Sequence, residues 1–311
     1  MTEFRQPEPN AQPRPGGRRA VAGVALLIVL VVGAASYFGL SNLLAVDAAP
    51  YQSLQIAGSE SMRPVITACA EDFMARSPRS DVIVRGGGSG EGISALLHGL
   101  VDLGMSSRDL TEKEQRYAAI NSISLSASPY AIDGIAVVVH PSNTLSELDL
   151  LRLAAIYSGK IRTWRDLGAE RDGEIFALAR ASGSGTATLF AERVLAGAEA
   201  AAGLKLATNE AIVEEIAKRP EAIGYSGLGA VHAADDRVKV LAIRADSQGA
   251  AVLPTADALR SRAYPLARTL YLYGTSPPSK IAEAFLSHCL GPSGLALLER
   301  AGYVATGRAA P

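Results

Sequence analysis

The sequence predicts an α/β fold, on two observations. Strand-like and helix-like runs alternate along residues 51–311, and three apolar runs end in Gly/Ser-rich turns that open directly into helices. Leu54-Gln55-Ile56-Ala57 leads into Gly58-Ser59-Glu60-Ser61-Met62, with Pro64 suited to a first helical turn. Val65, Ile66, Cys69 and Phe73 then keep helical spacing. Val82-Ile83-Val84-Arg85 runs into Gly86-Gly87-Gly88-Ser89-Gly90-Glu91-Gly92 and the helix-like Ile93-Ser94-Ala95-Leu96-Leu97. Gly134-Ile135-Ala136-Val137-Val138-Val139-His140 reads as a buried strand closed by Pro141, followed by helical spacing at Leu148, Leu151 and Ile156. Phe176-Ala177-Leu178-Ala179-Arg180 gives way to Ala181-Ser182-Gly183-Ser184-Gly185-Thr186 and a helix-favouring run over residues 187–195. Short strands follow at Ile223-Gly224-Tyr225, at residues 238–243 and at residues 269–274, before helices over 279–290 and 295–299.

The three turns share one chemistry. The first N–H groups of a helix have no partner inside it and carry the positive end of its dipole. Glycine lets the backbone approach a ligand, serine and threonine add hydroxyl donors, and Arg180 adds a planar fork that matches carboxylate or phosphate oxygens. A single such turn is common and needs no ligand. Three of them point to helix N-termini converging on one small anion, beyond the carboxyl ends of the strands.

Residues 1–19 are polar and rich in Pro, Gln and Arg, with the composition of a disordered tail. No charged residue occurs between Arg19 and Asp47, and the apolar core of that gap reaches the roughly 20 residues a bilayer requires. Arg14, Arg18 and Arg19 predict a cytoplasmic N-terminus and an exported remainder. The apolar stretch exceeds the roughly 7–15 residues of a usual signal core, which favours an uncleaved signal anchor. Val46-Asp47-Ala48 keeps a cleaved signal peptide as the rival reading.

Composition excludes several functions. A net charge of −1 implies no nucleic-acid partner, and an aromatic content of 5% argues against stacking on single strands. Gly90-Glu91-Gly92-Ile93-Ser94-Ala95 fits a loose dinucleotide pattern, but export and the other two turns argue against a nicotinamide enzyme. No serine sits in a G-x-S-x-G elbow. His98, His140, His232 and His288 lie far apart without metal-ligand spacing, so neither metal nor cofactor is expected. Trp164 reads as packing. Cys69 and Cys289 both fall on apolar helix faces; a disulfide and two separate buried thiols remain open.

The motifs, taken in order, resemble the periplasmic phosphate-binding proteins of ABC transporters. The resemblance rests on Gly58-Ser59-Glu60-Ser61-Met62-Arg63-Pro64, Gly86-Gly87-Gly88-Ser89-Gly90, Val101-Asp102-Leu103-Gly104-Met105-Ser106-Ser107-Arg108 and residues 180–186. Tyr157-Ser158-Gly159-Lys160-Ile161-Arg162-Thr163-Trp164 and Ala222-Ile223-Gly224-Tyr225 extend it. It implies a type II periplasmic-binding-protein fold: two lobes, each a mixed sheet flanked by helices, with the ligand in the cleft between them. The expected organisation is a tail (1–19), a membrane signal anchor (20–44), a first lobe from 51–134 and 240–311, and a second lobe from 135–239.

By the same resemblance the phosphate ligands fall on Ser61, the Met62 N–H, Ser89, Arg180, Ser184, Gly185 and Thr186. Ser59, Gly90, Ser107 and Arg108, in the same motifs, complete the candidate set. Two positions depart from the family's pattern. Ser107 stands where its best-known members carry an aspartate that accepts the phosphate proton, and Ser182 stands where an acidic partner for the arginine is common. Strict rejection of sulfate is therefore not expected, unless Glu60 or Glu91 turns inward as the acceptor; the bland alternative has both facing solvent or capping a helix start. The reading is a non-enzymatic, monomeric, extracytoplasmic protein that binds inorganic phosphate and partners an ABC permease. A membrane-tethered phosphate or oxyanion sensor is the alternative, which the neighbouring genes would distinguish.

Overall fold

The computed structural model describes residues 30–34, 36, 51–169 and 172–306. The expected tail lies outside the described residues, as does most of the expected membrane segment. Within that segment, residues 30–34 and 36 are helical, with Leu30, Val31 and Val32 exposed. Among the described residues no single helix is long and apolar enough to cross a membrane.

Residues from Tyr51 onward form one compact unit. Its strands are β1 (Gln52–Gly58), β2 (Ser80–Gly87), β3 (Leu103–Ser106), β4 (Leu125–Val139), β5 (Glu147–Asp149), β6 (Phe176–Arg180), β7 (Leu204–Leu206), β8 (Ala222–Gly227), β9 (Lys239–Val240), β10 (Ala242–Arg244), β11 (Ala267–Thr275) and β12 (Val304–Ala305). The helices are α1 (Arg63–Arg76), α2 (Ser89–Leu97), α3 (Glu112–Ile120), α4 (Leu150–Tyr157), α5 (Gly185–Val194), α6 (Asn209–Lys218), α7 (Leu228–His232), α8 (Ala256–Arg260), α9 (Lys280–Cys289) and α10 (Pro292–Arg300). The main sheet runs β2-β1-β3-β11-β4-β8-β6-β7, with β12 and β9 also on β4, while β5 and β10 pair separately.

Strand β4 organises the sheet. Its residues 125–134 pair antiparallel with β11, and Ile135–Val139 pair antiparallel with β8. The sequence shows only the second part as a strand, because residues 135–139 are wholly buried and apolar whereas residues 125–129 are only partly covered. In the buried part Ile135, Val137 and Val139 join one core and Ala136 and Val138 another, so helices cover both faces. The same alternation in β11 sends Leu270 and Leu272 to a third core and Tyr271 and Tyr273 to a fourth. The result is two halves, each a sheet with cores on both faces, as the two-lobed fold requires. Leu241, Ile243, Leu259 and Tyr264 share a core with Val137, as do Ala267 and Val304.

Cys69 and Cys289 form a disulfide between α1 and α9, with Cα atoms 5.9 Å apart. It joins positions 220 residues apart, a closure worth about 5 kcal/mol on chain-entropy grounds, and pins the helix that begins beside Ser61. Trp164 is fully buried and donates through Nε1 to Glu221 O at 3.1 Å, so it packs.

Candidate functional site

All three turns lie at strand-to-helix junctions, β1 to α1, β2 to α2 and β6 to α5, and they meet between the two halves. Gly90 N–H of the first half donates to Gly183 O of the second at 3.3 Å. A Cβ on Gly185 would lie 2.3 Å from both Ser89 Oγ and Ser107 Oγ, an approach that only glycine permits. One residue on, Thr186 Oγ1 is 3.3 Å from Ser61 Oγ. The first turn of α5 thus spans two groups of hydroxyls. Ser61 lies at one end; Ser89 and Ser107 lie at the other.

At the Ser61 end the structure brings in charges that motif reading passed over. Arg268 of β11 and Asp133 of β4 are cross-strand partners, both buried, and Arg268 Nη2 lies 2.6 Å from Asp133 Oδ2. Arg268 also donates from Nη2 to Ser61 Oγ at 2.9 Å and from Nη1 to Thr186 Oγ1 at 2.8 Å. Asn209, the first residue of α6, donates from Nδ2 to Ser61 Oγ at 2.9 Å. Its Oδ1 accepts from Gly227 N–H at 3.2 Å and from the Arg180 guanidinium. Gly227 is needed here: a Cβ on it would sit 2.9 Å from Arg268 Nη2 and 3.1 Å from Ser61 Oγ. Tyr303 donates to Ser61 O from behind.

Arg180 is buried at the end of β6. It donates to Leu206 O at 3.3 Å, to Ala207 O at 2.7 Å and to Asn209, leaving a second N–H on each terminal nitrogen. Burial, followed by the like charge of Arg268, pushes its pKa down to about 10, so the group stays charged at neutral pH. An anion between the two guanidiniums would relieve that repulsion.

At the other end the contacts are fewer. Ser89 Oγ accepts from Ser107 N–H at 3.0 Å and lies 3.2 Å from Ser107 Oγ. Arg108 turns away to Glu114 of α3, two 2.8 Å contacts forming a bidentate pair. Several other candidates are also engaged. The Met62 N–H donates to Ser59 O at 3.0 Å, and Ser184 caps α5 by accepting from Ala187 N–H at 3.4 Å. Ser59 Oγ is buried and has no partner among the described residues. Glu60 accepts from Arg63 Nε at 2.9 Å and Gly87 N–H at 2.8 Å, bracing two turns against each other, and Glu91 is exposed in the first turn of α2. Neither carboxylate takes the inward position.

Asp133, Asn209 and Arg268 had faint signals in the chain. Asp133 and Arg268 are lone charges beside apolar strand runs. Asn209 follows Thr208, an N-cap, and opens a helix with Ile212, Val213 and Ile216 on one face.

Two halves joined by one long strand, with helix N-termini and buried arginines facing each other across the join, define a two-lobed anion-binding protein. The chain belongs to the PBP superfamily, whose domain model matches residues 45–292. Within it the chain falls in the family of the phosphate-binding protein PstS. The PstS of Bacillus subtilis (strain 168) is 33% identical over 236 residues, covering 76% of this chain and 74% of that relative. The PstS of Staphylococcus aureus (strain USA300) is 30% identical over 253 residues, covering 80% and 76%. Among solved structures, a phosphate-bound protein from Clostridium perfringens superposes with a TM-score of 0.73 at 26% identity, over 82% of this chain and 100% of that one. An ABC-type phosphate transport receptor from Vibrio cholerae gives 0.66 at 27% identity, over 81% and 100%.

Proposed function

We propose that this protein binds inorganic phosphate between its two lobes and delivers it to an ABC-type permease outside the cytoplasm, without catalysing a reaction. The observation that supports this most is the set of donors on the first turn of α5, which meets hydroxyls from both other turns. Ser61, Ser89, Ser107, Gly185 and Thr186 stand there with two buried arginines against one buried carboxylate, a donor-rich, net-positive pocket suited to a tetrahedral oxyanion. Ser59, with its unpartnered hydroxyl, is a further donor. Helix N-termini, hydroxyls and arginines supply charge-assisted bonds, and closure about β4 excludes water. The lobes are drawn as 51–134 with 267–306, and 135–266, following the cores.

Calorimetric titration of the purified protein with phosphate, sulfate and other oxyanions tests the reading. Phosphate is expected to bind tightest, and a protein that preferred another oxyanion, or bound none, would reverse it. The uncharged stretch after Arg19 is proposed as a membrane tether. Mass spectrometry of the membrane fraction should find an intact N-terminus, whereas a soluble form beginning near Ala49 would replace the tether with a cleaved signal.

A further inference from the structure

The Ser61 hydroxyl is held in an unusual way. A serine oxygen has two lone pairs and one proton. One lone pair accepts from Arg268 Nη2 and the other from Asn209 Nδ2, each at 2.9 Å. The proton is therefore the only part of the group left to offer, and in this structure it faces Thr186 Oγ1 at 3.3 Å, the acceptor an anion would replace. The assignment of the Asn209 amide follows from its other side, where Oδ1 faces two obligatory donors, the Gly227 N–H and the Arg180 guanidinium. Arg268 is aimed in turn by Asp133, whose Oδ2 takes its Nε at 2.9 Å and Nη2 at 2.6 Å.

We infer that Asn209 and Arg268 are specificity-determining positioning residues that lock Ser61 as a pure hydrogen-bond donor to the bound anion. The two buried arginines converge on one hydroxyl by separate routes: Arg268 bonds it directly, and Arg180 acts through Asn209. A free serine can donate to a bare oxygen or accept from a protonated one. Ser61 has lost that choice, so the ligand oxygen facing it must be unprotonated. Charged groups facing this hub are Arg180 on β6, Arg268 on β11, Asp133 on β4, and Glu210 and Glu60, whose charges act on Arg180. The inference rests on the anion-site reading proposed above and adds which residues set the direction of its protons.

A double-mutant cycle between Asn209→Ala and Ser61→Ala, measured by calorimetry with phosphate and with sulfate, tests it. Asn209→Ala should lower phosphate affinity about tenfold in the native background and less than about twofold in the Ser61→Ala background, because its effect passes through that hydroxyl. Asn209→Ala also frees a lone pair on Ser61. Lowering the pH from 8 to 6, which adds a proton to phosphate and none to sulfate, should then weaken phosphate binding less in the variant than in wild type. Asn209→Asp, which turns the donor into an acceptor of the Ser61 proton, should lose more than Asn209→Ala for both anions. Arg268→Lys keeps the charge beside Asp133 and covers the case in which a neutral replacement fails to fold; it should retain part of the affinity. Additive losses with an unchanged pH profile would overturn the inference while leaving the anion site intact. Wild type that bound neither anion would overturn both.

Discussion

The two ends of the site use the same side chain in opposite ways. Ser61 has both lone pairs filled by protein donors and is backed by Asn209, Arg268 and Asp133. Ser89 has one lone pair filled, by the Ser107 N–H, and Ser107 has only its neighbour's hydroxyl, so both can still rotate. A fixed donor favours an unprotonated oxygen, while a rotatable hydroxyl serves a P–OH or a bare oxygen alike. Discrimination between a protonated and an unprotonated oxyanion is then decided at the soft end. That is the end where this chain carries Ser107 rather than a carboxylate.

Breaking the fixed end has the largest expected effect. In Gly227→Ala the new methyl lies 2.9 Å from Arg268 Nη2 and 3.1 Å from Ser61 Oγ, and Asn209 Nδ2 is 3.2 Å away. Its backbone φ of −67° suits alanine, so the strain is confined to the hub. Displacing two hydrogen bonds of about 1 kcal/mol each should cost roughly tenfold to thirtyfold in phosphate affinity, read by calorimetry. A variant that bound as tightly as wild type would mean the hub does not govern affinity. Ser89→Ala, the matched change at the soft end, should cost only a few-fold, since one rotatable donor is lost and its neighbour remains.

Ser107→Asp sharpens the contrast by turning the soft end into a fixed acceptor. At neutral pH phosphate offers a proton and sulfate does not. A carboxylate beside Ser89 would receive that proton, and it would face sulfate with like charge. The ratio of phosphate to sulfate affinity should rise about tenfold, mainly through loss of sulfate binding. Wild-type protein that already rejected sulfate completely would show that rotatable hydroxyls suffice, and the added aspartate would then change little.

The difference between the ends also explains what the chain revealed. The soft end is written in contiguous motifs: Ser89 and Gly90 in a glycine-rich turn, Ser107 three residues after Gly104, Gly185 and Thr186 at a helix start. Each is legible because local backbone chemistry requires it. The α/β alternation and the buried half of β4 are legible for the same reason, as runs of one period. The fixed end is assembled from Ser61, Asp133, Asn209, Gly227 and Arg268, spread across five elements. Arg268 meets Asp133 only because β11 pairs with β4 in one register, and strand register between segments 135 residues apart has no local signature. The same non-locality left the cysteine pairing open. It also hid the burden on Arg180, whose partners Leu206, Ala207 and Asn209 come from a later strand, loop and helix.

The smallest effect on binding, and the clearest on stability, is expected behind the soft end. Ser107 is followed by Arg108, whose guanidinium is gripped at 2.8 Å by both oxygens of Glu114, and Glu114 also closes a capping box with Thr111. The pair is mostly buried, with side chains 7% and 15% exposed. Burial alone would raise the Glu114 pKa, but the hydrogen bonds from Arg108 and the Thr111 N–H outweigh it and hold the carboxyl below the ordinary range. A carboxyl depressed in the folded state contributes stability above its unfolded pKa and loses it as pH falls through the folded value. Glu114→Gln keeps the shape and removes the charge, leaving Arg108 short of a partner. It should destabilise the protein by about 1–3 kcal/mol at neutral pH, measured by denaturant unfolding, and the gap to wild type should close as the pH drops below about 4. Phosphate affinity should change less than about threefold, because the Arg108 guanidinium bonds Glu114 and Asp109 O and not the converging hydroxyls. A large loss of affinity with unchanged stability would instead place Arg108 among the ligands, and the soft end would then be charged after all.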